Sequence, residues 1–305
     1  MSGRRGLAQI LVLWALVLLG TLAGGFALSM RIEAQAARNE IDGLRAYYQA
    51  RTGISIATML VSSFPDGGMA GVNIEGGEED AAYRVKIMGE GGKIDINLVT
   101  EDDLFEILLK GGLSGRDAES LRDAIFDWKD QDDDPRPYGA EAADYARLRE
   151  PLIPRNGKFT SVEELRYVMG VTQELYDRFL SRVFTVHSNT SRVNVSEASR
   201  IVLASLPGVS PEAVEEILAI REEKETVSLS DLSNLASRNL LTQKGHYMLA
   251  NKTASKVYEI TSTGMAGRVV HSVRCMVTVG GGGLGKKSAK MLRWVDLAAA
   301  YGEEL

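Results

Sequence analysis

Residues 7–30 carry no charged side chain. As a helix these 24 residues would be about 36 Å long, enough to cross a hydrocarbon layer of about 30 Å. Arg4 and Arg5 stand just before them, where a cytoplasmic, positive-inside flank belongs. The rest of the chain then lies beyond the membrane. The expectation is a single-pass membrane protein with a large outer domain.

The apolar run is longer than that of a cleaved secretory signal, and no clean small-x-small break follows it. Arg5-Gly6-Leu7 instead resembles the site of prepilin peptidase, which cuts after a glycine on the cytoplasmic side and leaves the helix in place. Residues 1–6 would be the leader, Gly6 and Leu7 the processing site, and residues 7–30 the membrane half of a retained helix. In most pilins and pseudopilins the fifth mature residue is glutamate; here it is Leu11. An acid in a membrane helix is costly unless it meets a partner. A subunit with nothing stacked above it has no use for one, so Leu11 marks a tip subunit. A simple membrane anchor would also carry leucine there.

Composition removes several classes. A net charge of −6 argues against nucleic acid as the main ligand, because phosphate binding needs a basic face. Cys275 is the only cysteine, so no intrachain disulfide can form. His187, His246 and His271 lack ligand spacing, and the chain has no G-x-S-x-G, H-E-x-x-H or Walker-type loop. An enzyme is not expected.

Residues 31–62 keep helical spacing through Ile32, Ala36, Ile41, Leu44, Tyr48, Ile54, Met59 and Leu60. Phe64-Pro65-Asp66-Gly67-Gly68 breaks the helix. Residues 71–79 read as a loop and 82–87 as a strand. An internal repeat follows. Ile94-Asp95-Ile96-Asn97 opens one unit and Val193-Asn194-Val195 the other. Each continues into a short helix, capped by Thr100 in the first and Ser196 in the second, then a glycine turn and a second helix, 117–128 or 211–221. The turns centre on Gly112 and Gly208, where reversal at positive φ requires glycine. The pattern reads as duplicated helix-hairpin-helix units. Strands return at 256–261 and 267–279, with a glycine turn at 280–283 and a return strand at 289–297. The predicted fold is α+β: a pilin-like long N-terminal helix on a small antiparallel sheet, with an inserted α-helical domain. Its expected boundaries are 31–93 for the outer helix half and first strand, 94–255 for the insertion and 256–305 for the final strands.

Eight acids lie between Asp123 and Asp144, opposed only by Lys129 and Arg136. Asp130, Asp132 and Asp134 alternate and Glu141 follows a turn, which suits a hard cation with oxygen ligands, above all calcium. Crowded carboxylates repel, and a divalent ion relieves that. The Gly and Glu positions are not those of an EF-hand. Trp128, Pro135, Pro137 and Tyr138 point to an ordered loop.

The phrase Asp127-Trp128-Lys129-Asp130 through Gly139-Ala140-Glu141, with Ser161 to Leu165 and Asn194 to Ala198, resembles the minor pseudopilin K family of type II secretion, whose members also lack the acid replaced here by Leu11. The resemblance runs from Arg5 to about Val279. It implies a periplasmic domain on an inner-membrane helix, placed at the pseudopilus tip with minor pseudopilins I and J. There it would help to initiate assembly of the fibre that exports folded proteins, and contact the secretin or cargo. It also implies calcium on Asp127, Asp130, Asp132, Asp134 and Glu141. Two other readings are a type IV pilus minor pilin and a membrane-anchored DNA-uptake receptor using the glycine turns. Glu212, Glu215 and Glu216 beside Gly208 oppose DNA.

Overall fold

A computed structural model describes residues 3–64, 71–78, 80–224, 226–251, 256–281 and 287–301. Pro65 to Gly68, Gly282 and Gly283 lie outside these residues. One helix, α1 (Gly3–Ser63), carries the whole N-terminal segment. Its apolar portion from Leu11 onward is exposed and is long and apolar enough to cross a membrane. Farther along, Ala46, Ala50, Ile54, Ala57 and Val61 are buried against a sheet. The face that packs is the one with small side chains. Of the apolar residues at helical spacing, Ile54 is buried and Ile41, Leu44, Tyr48 and Met59 are exposed. The sheet backbone comes closest at Gly264, where an added Cβ would strike Ala46 O and Ala50 N, while Ile54 and Val61 fill the wider space farther along.

The sheet has five strands in the order β1 (Asn73–Glu78), β2 (Ala81–Gly89), β7 (Val257–Ala266), β8 (Val269–Gly281) and β9 (Lys287–Tyr301). Every neighbour pair is antiparallel. Within the 71–79 segment, read as a loop, residues 73–78 form a strand: β1 pairs with β2 from Asn73↔Lys86 to Glu78↔Ala81. Its glycines hid the strand, yet an added Cβ at Gly76 would overlap the Tyr83 ring. Gly267 has φ +55 and turns the chain between β7 and β8, so β8 starts two residues later than the sequence indicated.

Strands β2 and β7 are adjacent although more than 160 residues separate them, and the helical unit fills that gap. Two short parallel pairs frame it. In the first half β3 (Ile94–Asp95) pairs with β4 (Phe184–Thr185); in the second, β5 (Val193–Asn194) pairs with β6 (Leu249–Ala250). The hydrogen bonds repeat as well. Asn97 N–H donates to the Asp95 carboxylate and Ser196 N–H to the Asn194 side-chain oxygen. Ile96 N–H donates to Thr185 O, and Val195 N–H to Ala250 O. The duplication is thus built into the backbone bonding.

The first half holds α2 (Glu101–Lys110) and α3 (Gly115–Lys129), then α4 (Ala142–Tyr145) and a broken helix in which α5 (Gln173–Leu175) and α6 (Ser181–Val183) flank a π turn. The second holds α7 (Arg200–Ser205), α8 (Pro211–Lys224), α9 (Leu229–Ser237) and α10 (Gln243–Met248). Thr100 caps α2 by accepting from Asp103 N–H. Ser196 does not cap its helix; the N-cap of α7 is Ser199, and Ser196 Oγ instead accepts from Val227 N–H. One apolar core runs through both halves from Ile94 to Leu249, separate from the core between α1 and the sheet.

Candidate metal centre

The acidic loop leaves α3 at Asp130 and ends at Glu141, just before α4. It is anchored from beneath by aromatics. Trp128 meets the edge of Tyr145 at 5.2 Å between ring centroids and stacks on Phe159 at 6.5 Å. Tyr145 is fully buried, and its hydroxyl accepts from Met169 N–H at 2.9 Å. Two of the acids are spent on holding the loop. Asp123 accepts from Tyr138 N–H at 3.2 Å and pairs with Arg122. Asp127, with no exposed surface, accepts from Arg136 through both the backbone N–H and the guanidinium. An added Cβ at Gly139 would strike the Asp127 carboxylate, so glycine is required where the loop crosses that buried charge.

Of the five acids assigned to a cation from the sequence, three converge. Asp130, Asp132 and Glu141 each place a carboxylate oxygen within 4.8 Å of the others. Asp127 does not join them: it faces Arg136 at 2.8 Å. Asp134 is exposed, and its N–H donates to Asp132. Glu141 is only 3 % exposed, and neither side-chain oxygen has a hydrogen-bond partner. An unpaired buried carboxylate is expensive. Burial, with Asp127, Asp130, Asp133 and Asp132 nearby, pushes its carboxyl up to about 7. One oxygen of Asp130 is likewise buried without a partner. Three converging carboxylates, two of them with orphaned buried oxygens, fit a hard cation with oxygen ligands.

Three contributors had no structural role assigned from the sequence. Arg136 bonds Asp127, Asp130 and Glu101 of α2. Asn156, at φ 48, donates to Asp133. Lys129 turns inward to lie 3.6 Å from the Phe126 ring centroid, and burial lowers it to about 8. A signal existed for two of them: the Pro135-Arg136-Pro137 phrase fixes an arginine among acids, and Asn156-Gly157 is a turn dipeptide.

The remaining sequence-derived positions lie elsewhere. Gly6 and Leu7 fall in the first turns of α1. Leu11 is 64 % exposed. Gly112 (φ +94) turns between α2 and α3 and is exposed; Gly208 (φ +72) turns between α7 and α8. The Gly208 turn is engaged internally. Its carbonyl accepts from Thr242 N–H, and Lys110 donates to Leu206 and Val209 on either side.

Residues 96–187, almost the whole first half of the insertion and all of the acidic loop, match the family model described as type II secretion system (T2SS), protein K. Residues 96–187 thus carry a domain of the type II secretion protein K type. Type II secretion system protein K of Aeromonas hydrophila is 26% identical over 252 residues, covering 72% of this chain and 76% of the relative. Its counterpart in Pectobacterium carotovorum is 28% identical over 221 residues, covering 64% of this chain and 67% of the relative. The fold is similar to a chain in the crystal structure of the GspK–GspI–GspJ complex of enterotoxigenic Escherichia coli. There the TM-score is 0.58 at 13% identity, with 88% of this chain and 100% of that chain covered.

Proposed function

We propose that this chain is the minor pseudopilin at the tip of a type II secretion pseudopilus, where it helps to initiate the fibre that exports folded proteins. The carrying observation is the protein K domain held between neighbouring strands of a head mounted on one long apolar helix. In this reading α1 anchors the chain in the inner membrane with the head in the periplasm. Prepilin peptidase removes the leader after Gly6. Leu11 takes the place of the acid that a subunit stacked from above would meet. The partners are minor pseudopilins I and J, and the secretin or cargo are further contacts. The role is structural, with no turnover.

Calcium belongs to this reading. Asp130, Asp132 and Glu141 would hold it, with Asp127 and Asp134 behind them. The ion supplies positive charge that lets crowded carboxylates stay ionised together.

The test is co-purification of the full-length chain with the I and J counterparts from the same organism. A stable three-component complex is expected, and failure to associate with either overturns the tip assignment. Association with minor pilins of a type IV pilus instead would move the chain to that fibre. The DNA-uptake reading is disfavoured by the Gly208 turn, where the Val209 and Ser210 N–H groups already donate to Leu206 O and Leu240 O and the neighbours Glu212 and Glu215 are acids.

A further inference from the structure

We propose that Arg136 is a positioning residue for the cation site: it holds Asp130 so that one carboxylate oxygen is presented to the ion. This rests on the calcium reading above. The geometry is divided within a single side chain. Oδ2 of Asp130 lies 2.5 Å from Arg136 Nη1, while Oδ1 is buried and has no hydrogen-bond partner. The same carboxylate approaches Asp132 and Glu141 within 4.8 Å. Arg136 is itself fixed. It reaches Asp127, fully buried in α3, at 2.8 Å and Glu101 in the first turn of α2 at 3.2 Å. Its guanidinium also lies 5.4 Å from the Phe126 ring centroid. The flat guanidinium fork can serve several carboxylates at once, which an ammonium cannot match. Groups behind the ligands commonly set metal affinity by orienting the groups that touch the ion.

The sign of the effect separates positioning from simple charge. Arg136 is a cation beside a cation site. If it acted only through its charge, removing it would tighten calcium binding, because like charges repel. If it orients Asp130, removing it weakens binding despite the relieved repulsion. Loss of Arg136 also strands Asp127 as a buried unpaired carboxylate, so Arg136→Gln alone can unfold the loop. The double variant Asp127→Asn with Arg136→Gln removes both members of that pair and leaves Asp130 without its holder.

The experiment is titration of the full-length chain in detergent with calcium chloride by calorimetry, comparing the native chain, Arg136→Gln, Arg136→Lys and the double variant. Terbium luminescence lifetimes on the same proteins count the waters on the bound ion. The native chain is expected to bind calcium. Arg136→Gln and the double variant are expected to bind at least about 10-fold more weakly, with about one more water on terbium as Asp130 swings away. Arg136→Lys should fall between. Unchanged or tighter binding, with an unchanged water count, overturns the positioning role even if the metal-free protein is less stable. A native chain that does not bind calcium overturns the calcium reading itself, and the role of Arg136 with it.

Discussion

Lys110 Nζ at the end of α2 lies 2.6 Å from the carbonyl oxygen of Leu206 at the end of α7. It also reaches Val209 O at 3.1 Å. One lysine thus satisfies two carbonyls of the second glycine turn from the first repeat, and burial lowers its own pKa. Replacing Lys110 with Met would leave both carbonyls without that donor, at a cost of about 1–3 kcal/mol. A lower denaturant midpoint for Lys110→Met, with no change in α1 helicity, is the expected result. An unchanged midpoint would mean the two halves do not depend on this contact.

The close approach of β7 to α1 makes a sharper prediction. A Cβ added at Gly264 would overlap the Ala46 carbonyl oxygen and meet Ala50 N, both rigid helix backbone. Gly264→Ala should therefore destabilise by about 1–3 kcal/mol or more, as overpacking does. Gly43, also on α1, has nothing within 4 Å of such an atom. Gly43→Ala should be neutral or stabilise by up to about 1 kcal/mol through helix propensity. In thermal melts Gly264→Ala should lower the midpoint, while Gly43→Ala should leave it unchanged or raise it.

Calcium should stabilise in a strongly pH-dependent way. In the metal-free chain the Glu141 carboxyl is pushed up to about 7, so a bound ion must displace its proton. The calcium-induced rise in melting temperature should be large at pH 8 and small at pH 5.5. Glu141→Gln should abolish most of it while raising the melting temperature of the metal-free protein at pH 8, because a stranded charge is removed. A thermal shift of equal size at both pH values would argue against Glu141 as a ligand.

Glu197 gives a second titration, away from the loop. It sits where the helical insertion meets the turn after β2; an added Cβ at Gly92 would press on its backbone carbonyl. Burial raises its carboxyl to about 7, opposed by a hydrogen bond from Asn194 and by Arg221, and assisted by Glu90. A carboxyl with a raised folded-state pKa makes its full contribution to stability below its unfolded value, about 4.3. That contribution is lost as pH rises through 7. Glu197→Gln should flatten stability between pH 4.5 and 7.5 when measured with calcium at saturation. A variant that retains the full slope would place the titration elsewhere.

The legible parts of this protein were those written in local pattern. The charge-free stretch dictated one long apolar helix, and turn glycines at positions 112 and 208 announced the repeat because only positive φ closes those reversals. The β1 strand was illegible because Gly76 and Gly77 look like loop; Tyr83 and the β2 backbone supply what their side chains lack. Helical spacing alone did not reveal which face of α1 packs: Ala46, Ala50 and Ala57 are buried with Ile54 and Val61, while the larger Ile41, Leu44, Tyr48 and Met59 are exposed.

The acidic loop divides in the same way. Sequence alone determined that many carboxylates crowd one short segment before α4. Only the tertiary structure decided which of these acids are engaged and which converge. Asp123 and Asp127 are consumed by the backbone and by arginines, while Asp130, Asp132 and Glu141 converge, and Asp130 and Glu141 keep buried oxygens unengaged. A carboxylate's partners depend on which chain segments cross above it, and residue spacing along the chain does not encode those crossings.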